Sequence, residues 1–223
     1  MSAAESERGG RTGVLGGTFD PVHLGHLAVA EHAFASLQLN RVLFIPAARP
    51  PHKPDLKITP FVHRAAMLEL ALQDRPGFVL STMEEKRSGP SFSVDTLREL
   101  RSVLGEAEKI FFLIGMDAFA EIATWKNYRL LPELCDLVVI DRPDFPLELM
   151  KKTVSLFDPD PPGTAGSPGR NRVRAGAFHA LAMEPVDISS TRIRKTVGEG
   201  GAVRGLVPPG VADYIEKKGL YRV

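Results

Sequence analysis

Between an apolar run at residues 12–15 and a stretch at 24–37 rich in Leu, Ala and Val stands Gly16-Gly17-Thr18-Phe19-Asp20-Pro21-Val22-His23-Leu24-Gly25-His26. The pattern predicts a strand, a tight glycine turn and a helix: a short apolar run bounded by glycine suits a buried strand, and a breaker-free run suits a helix. Small residues at the turn let backbone approach a ligand closely, and the helix start offers unpaired N–H groups and a positive dipole end. His23 and His26 are three residues apart, so on a helical turn they point to nearly the same side. Two imidazoles over a helix N-terminus suit a phosphate whose negative charge grows in a transition state.

Other readings of this stretch fail on pattern. A dinucleotide fingerprint needs Gly-x-Gly-x-x-Gly and a P-loop needs Gly-Lys-Ser/Thr, and neither is present. His32 follows on the same helix, but at ~100° per residue it faces away from His23, which argues against a zinc site. No protein ligand set for a metal is expected.

The whole chain sets wider bounds. Its 223 residues, 43% hydrophobic and 25% charged, suit one ordinary globular core. The net charge of +1 argues against a general nucleic-acid binder, though not against a local basic site. The single cysteine, Cys135, cannot form an internal disulfide and sits among Leu134, Leu137 and Val138, which suits a buried thiol in a reducing cytoplasm. Residues 1–11 are polar, without the apolar core of a signal, and read as a tail; no later run is long enough to span a membrane. Residues 12–223 are expected to form a single domain.

Strands are predicted at 41–46, 78–82, 109–114, 137–140 and 178–183, and helices near 60–72, 91–104, 118–122 and 211–218, with a further short helix after the hydroxyls at 189–191. Thr59-Pro60 looks like an N-cap followed by proline at the first helical position. Strands alternating with helices give an α/β fold with a mainly parallel sheet. Prolines at 46, 50, 51 and 54 forbid regular structure around Arg49, His52 and Lys53, and a stiff loop at the end of a strand suits a substrate. Gly115 and Asp117 close a central strand where a nucleotide ribose is often held, although Asp117 would serve equally as a helix N-cap. Trp125, the only tryptophan, is either a core residue or a platform for a flat heteroaromatic ring. Residues 158–176, rich in Pro and Gly with Arg170, Arg172 and Arg174, read as a surface loop. Ser189, Ser190 and Thr191 before a short helix, with Arg192 and Arg194 in its first turns, form a second anion site.

The glycine–histidine stretch resembles the signature of the nucleotidyltransferase superfamily that carries His-x-Gly-His. The bacterial nicotinate mononucleotide adenylyltransferases are the most similar branch. Collinear matches are Pro50-Pro51-His52-Lys53, Ser91-Phe92-Ser93-x-Asp95-Thr96-Leu97, Gly115-x-Asp117, Trp125, Arg142-Pro143 and Ile188-Ser189-Ser190-Thr191-x-Ile193-Arg194. The resemblance implies a Rossmann-like three-layer α/β sandwich of the nucleotidyltransferase, adenine nucleotide alpha hydrolase-like type. It implies transfer of AMP from ATP to nicotinate mononucleotide, giving nicotinate adenine dinucleotide and pyrophosphate in NAD biosynthesis. Catalysis would rest on His23, His26 and Arg194, by direct in-line attack. ATP would meet Gly16, Gly17, Thr18, Phe19, His26, Gly115, Asp117, Ser189, Thr191 and Arg194. Lys53, Ser93, Trp125 and Arg142 would hold the mononucleotide, and Mg2+ would travel with the ATP phosphates. A cytoplasmic monomer or homodimer, engaging neither nucleic acid nor membrane, is the expected setting. Two positions depart from the pattern: Ser93 stands where threonine is common, and Lys126 where some members carry tyrosine. The rivals are an adenylyltransferase acting on phosphopantetheine, a non-catalytic nucleotide sensor and a metal-dependent hydrolase. The Pro-Pro-His-Lys loop with Trp125, the retained His23, His26 and Arg194, and the lack of a ligand set respectively disfavour them.

Overall fold

The computed structural model describes residues 10–51, 58–141, 147–157, 177–184 and 186–222. Among these, the chain runs β1 (Arg11–Gly17), α1 (Leu24–Ser36), β2 (Arg41–Pro46), α2 (Phe61–Leu72), β3 (Phe78–Leu80), α3 (Ser93–Leu104), β4 (Lys109–Gly115), α4 (Met116–Ala120), α5 (Leu131–Leu134), β5 (Asp136–Asp141), α6 (Leu147–Ser155), β6 (Phe178–Ala182), α7 (Ser190–Gly198) and α8 (Pro209–Lys218). Short 3-10 turns lie at Met83–Lys86, Ile122–Thr124 and Tyr128–Leu130. The α/β class with parallel strands, read from the alternating pattern, is the observed one, and it agrees with the Rossmann-like type that the resemblance implies. No helix among the described residues is long and apolar enough to cross a membrane.

The described residues fall into two compact units. The first, from residues 12–91 and 186–222, holds three parallel strands in the order β3, β2, β1. Val14 stands opposite Leu43 and Gly17 opposite Pro46, while Phe44 faces Leu80 on the next strand. Val42 and Phe44 are fully buried, which is why β2 is an unbroken apolar run rather than an alternating one. Helix α1 packs through Leu27, Ala30 and Ala33. Helices α2 and α8 lie against each other, and Gly219 in the left-handed conformation (φ 60°) ends α8 after Lys217 and Lys218.

The second unit contains residues 10–11 and 92–184, with parallel strands β4, β5 and β6. Leu137, Val138 and Val139 of β5 are fully buried, and Cys135 before them is buried too, its thiol donating to the Leu131 carbonyl. An aromatic cluster of Phe119, Phe157 and Phe178 closes its core.

Three sequence expectations are corrected here. Residue 11 belongs to β1 rather than to a polar tail, and the Gly10 carbonyl accepts from the Lys109 N–H at 2.8 Å. Asp117 is not an N-cap: Gly115 holds that place and Asp117 sits exposed inside the first turn of α4. Helix α2 starts one residue late, with Pro60 as N-cap, because Thr59 is drawn into contacts of its own described below.

Candidate functional site

Strand β1 ends at Gly17, whose carbonyl accepts from the Ala47 N–H at 2.8 Å. Phe19 follows with φ 49°, and its ring turns inward until it is 2% exposed. A Cβ on Gly17 would lie 3.2 Å from that ring, so glycine lets the turn fold back on itself. The Phe19 ring also meets Phe44 at 6.0 Å and the edge of His26 at 4.9 Å, fixing the floor beneath the histidines.

His23 is the extended N-cap of α1 and His26 its third residue. The backbone N–H of His23 donates to Nδ1 of His26 at 3.2 Å, so the neutral His26 ring carries its proton on Nε2. The two rings stack with centroids 3.7 Å apart. Gly25 makes room for this: a Cβ there would stand 3.0 Å from His23 Nδ1 and 3.1 Å from its Cε1. Burial pushes the His23 pKa down to about 4, and burial followed by the neighbouring His23 holds His26 well below the usual imidazole range. Both rings are therefore neutral at pH 7. The His23 side chain faces the N–H of His26 in a capping-box arrangement, and its buried Nδ1 lies over Gly25.

Helix α7 brings the hydroxyls and arginines of the second candidate anion site to the same turn. Ser189 caps it by accepting the Arg192 N–H at 3.2 Å. Ser190 Oγ donates to the Pro21 carbonyl at 2.9 Å, and Arg194 Nη1 donates to the Asp20 carbonyl at 2.8 Å. Arg194 Nη2 reaches Thr191 Oγ1 at 3.3 Å. Thus Gly16, Gly17, Thr18, Phe19, His23, His26, Ser189, Thr191 and Arg194 belong to one unit. Residues 20–21, just ahead of the histidines, tie α7 to the turn.

The sequence reading missed the residues underneath. Asp20 is 4% exposed; its Oδ1 accepts from the Tyr221 hydroxyl at 2.8 Å and its Oδ2 from the Thr59 N–H at 3.2 Å. Arg64, 1% exposed, donates from Nη1 to the Thr18 carbonyl at 2.7 Å and from Nε to the Thr59 carbonyl at 2.9 Å. Desolvation lowers the Arg64 pKa, against which Asp20 nearby acts in its favour. The Phe19-Asp20-Pro21 tripeptide offered one signal, an acid among turn residues.

In the second unit, Ser93 opens α3 and Gly115 caps α4, with Asp117 exposed beyond it. Trp125 is half-buried: its ring meets Phe112 edge to face at 6.3 Å, which makes it neither a full core residue nor a free surface one. Lys126, the departure noted in the sequence, binds Asp95 of α3 at 2.9 Å and lies 4.7 Å over the Phe92 ring. It therefore fastens the segment after Trp125 to the helix that carries Ser93. In the first unit, Arg49 is held by the Arg87 carbonyl and by Ser91 Oγ, which accepts its N–H. Lys53, Arg142, His52 and the 158–176 segment lie outside the described residues. No group of three or more His, Cys, Asp or Glu among the described residues could hold a metal ion.

The family model described as cytidylyltransferase-like matches residues 14–196. A curated relative named "Probable nicotinate-nucleotide adenylyltransferase", from Citrifermentans bemidjiense, is 42% identical over 218 residues, covering 95% of this chain and 98% of that protein. A protein of the same name from Thermus thermophilus is 43% identical over 213 residues, covering 95% of this chain and all of that one. Among solved structures, Plasmodium falciparum nicotinic acid mononucleotide adenylyltransferase complexed with NaAD superposes with a TM-score of 0.73 at 18% identity. That match covers 95% of this chain and 97% of the other, a likeness of fold.

Proposed function

The chain belongs to the cytidylyltransferase-like family and, within it, to the nicotinate-nucleotide adenylyltransferases, and from that premise we propose that it transfers AMP from ATP to nicotinate mononucleotide by direct in-line displacement. A phosphate oxygen of the mononucleotide attacks the α-phosphorus of ATP; the bond from that phosphorus to the bridging oxygen breaks, and pyrophosphate leaves. The attacking phosphate is ionised near neutral pH, so no general base is required and alignment with charge stabilisation carries the rate.

The observation that supports this most is the stacked His23–His26 pair at the start of α1, joined through residues 20–21 to Arg194 and the start of α7. His26, with its proton on Nε2, is suited to donate to an α-phosphate oxygen as charge builds there. Arg194, with Ser189 and Thr191, is assigned to the β- and γ-phosphates and the departing pyrophosphate. Gly16, Gly17, Thr18 and Phe19 contribute backbone, since the Phe19 ring is buried. Magnesium enters as part of the MgATP substrate and draws charge from the phosphates. Asp20 is not assigned to it: the side chain is 4% exposed and its carboxylate is turned to the Thr59 N–H and the Tyr221 hydroxyl. In the second unit, Gly115 and Asp117 are assigned to the ribose, Trp125 to the pyridine ring and Ser93 to its carboxylate; Lys53 and Arg142 are assigned to the mononucleotide phosphate by resemblance alone.

Pyrophosphate release with MgATP is the test, comparing nicotinate mononucleotide, nicotinamide mononucleotide and phosphopantetheine. Release with the first alone is expected. Equal release with the first two would keep the reaction and overturn the acid preference; release with phosphopantetheine alone would overturn the substrate class.

A further inference from the structure

We infer that Tyr221 is a positioning residue for the phosphate-binding guanidinium of Arg194, acting through the buried Asp20 that both of them bind. The inference rests on the adenylyl-transfer reading for what Arg194 does, and on geometry alone for what Tyr221 does.

Arg194 is half-buried and, among the described residues, makes one hydrogen bond to Thr191 of its own helix at 3.3 Å and a shorter one, 2.8 Å, to the Asp20 carbonyl. Where that carbonyl points decides where the guanidinium lies. The carbonyl belongs to a residue whose side chain is held at both oxygens, by the Tyr221 hydroxyl at 2.8 Å and the Thr59 N–H at 3.2 Å. Arg64 pins the Thr18 carbonyl two residues earlier at 2.7 Å, so the turn is fixed on either side of Phe19. Of these anchors only Tyr221 comes from beyond α8. Gly219 reverses the chain there, and the Leu220 N–H closes the reversal on the Ile215 carbonyl at 3.0 Å. Tyr221 itself adopts φ 64°, a conformation unfavourable for a bulky side chain. Such a conformation persists where surrounding contacts impose it, and here those contacts lead to the Asp20 carboxylate. Burial, then the charge of Asp20, raises the Tyr221 pKa, so the hydroxyl stays a donor at every pH where the protein would work.

The consequence is specific. Removing the hydroxyl frees one oxygen of Asp20, loosens the Asp20 carbonyl and blurs the position of Arg194, without touching the Trp125 side of the substrate pair. Tyr221→Phe is therefore expected to lower kcat/KM for ATP about tenfold, the usual scale for leaving a buried acceptor unpaired, with KM for the mononucleotide unchanged. In an Arg194→Ala background the same substitution should change kcat/KM less than twofold, because its target is already gone. Asp20→Asn retains the carbonyl that Arg194 uses while replacing one acceptor oxygen with a donor. It serves as a second variant should Tyr221→Phe fold poorly, and the same ATP-directed loss is expected of it.

Calorimetric titration of the wild type and the Tyr221→Phe, Arg194→Ala and double variants with inorganic pyrophosphate gives a readout independent of turnover, in which Tyr221→Phe should weaken binding only where Arg194 is present. An unchanged Tyr221→Phe enzyme with unchanged pyrophosphate affinity would overturn the inference. So would an equal loss in both backgrounds, which marks a general structural role. A wild type that releases no pyrophosphate from its substrates, yet binds pyrophosphate in a Tyr221-dependent way, would overturn the catalytic reading and keep this one.

Discussion

The main-chain N–H of His23 is bonded to the ring of His26, at 3.2 Å from Nδ1. One residue thereby sets the tautomer of the other, and the Nε2 proton of His26 follows from the start of the helix rather than from any ligand. His26→Ala is expected to cut turnover by at least ~100-fold, the scale for losing one charge-stabilising donor, with the circular dichroism spectrum unchanged. Near-normal pyrophosphate release would remove His26 from the mechanism.

Gly25 should be intolerant for a reason unrelated to helix propensity. Alanine would ordinarily help a helix by roughly 0.5–1 kcal/mol, but here its Cβ falls 3.0 Å from the His23 ring, which must move. Gly25→Ala is expected to keep a melting temperature near that of the wild type while losing at least ~10-fold in kcat. Full activity would show that the stacked geometry of the histidines is not needed.

Acid should destabilise the protein through His23. Its folded pKa of about 4 lies below the unfolded value of 6.5, so between those pH values the unfolded chain binds more protons. Stability from this group is fully present above pH 6.5 and is lost as pH falls through about 4, a total of about 3 kcal/mol. His26 adds in the same direction. Urea unfolding at pH 7 and pH 4.5 should show the drop, and His23→Asn should flatten it. An equal drop in that variant would assign the effect to other groups.

Trp125→Ala is expected to raise KM for the mononucleotide more than KM for ATP. The ring touches Phe112 at one edge and is only half-buried, so its removal should cost recognition more than core packing. Equal effects on both constants, accompanied by a lower melting temperature, would mark Trp125 as a packing residue.

Much of this protein is legible from local pattern. The apolar run Arg41–Pro46 is β2 to the residue, and Ser189 caps α7 as its hydroxyl promised. The two histidines share a side of α1, as their spacing requires. Arg64 shows where such reading stops. In the sequence it is one polar residue in a helix; its burial depends on carbonyls at 18 and 59 that no periodicity places beside it. Thr59 looked like an ordinary cap and instead spends its N–H and carbonyl on Asp20 and Arg64, which moves the helix start to Phe61. Asp117 satisfied the rule for a cap, and Gly115 took the place. Contacts made through main-chain carbonyls leave no mark on residue type, and the support beneath the histidines is built mostly from such contacts.

Tyr221 follows Asp20 by 201 residues, and this separation has a consequence in time. A ribosome adding roughly 5–20 residues per second synthesises the glycine–histidine turn some ten to forty seconds before it adds the tyrosine that clasps it. During that interval the nascent chain can pair β1 with β2 and wind α1, but it cannot complete the setting of Arg194, whose helix also comes late. If Arg194 holds the nucleotide phosphates as proposed, stabilisation by that ligand would begin only once residue 221 has been made, long after the glycine–histidine turn.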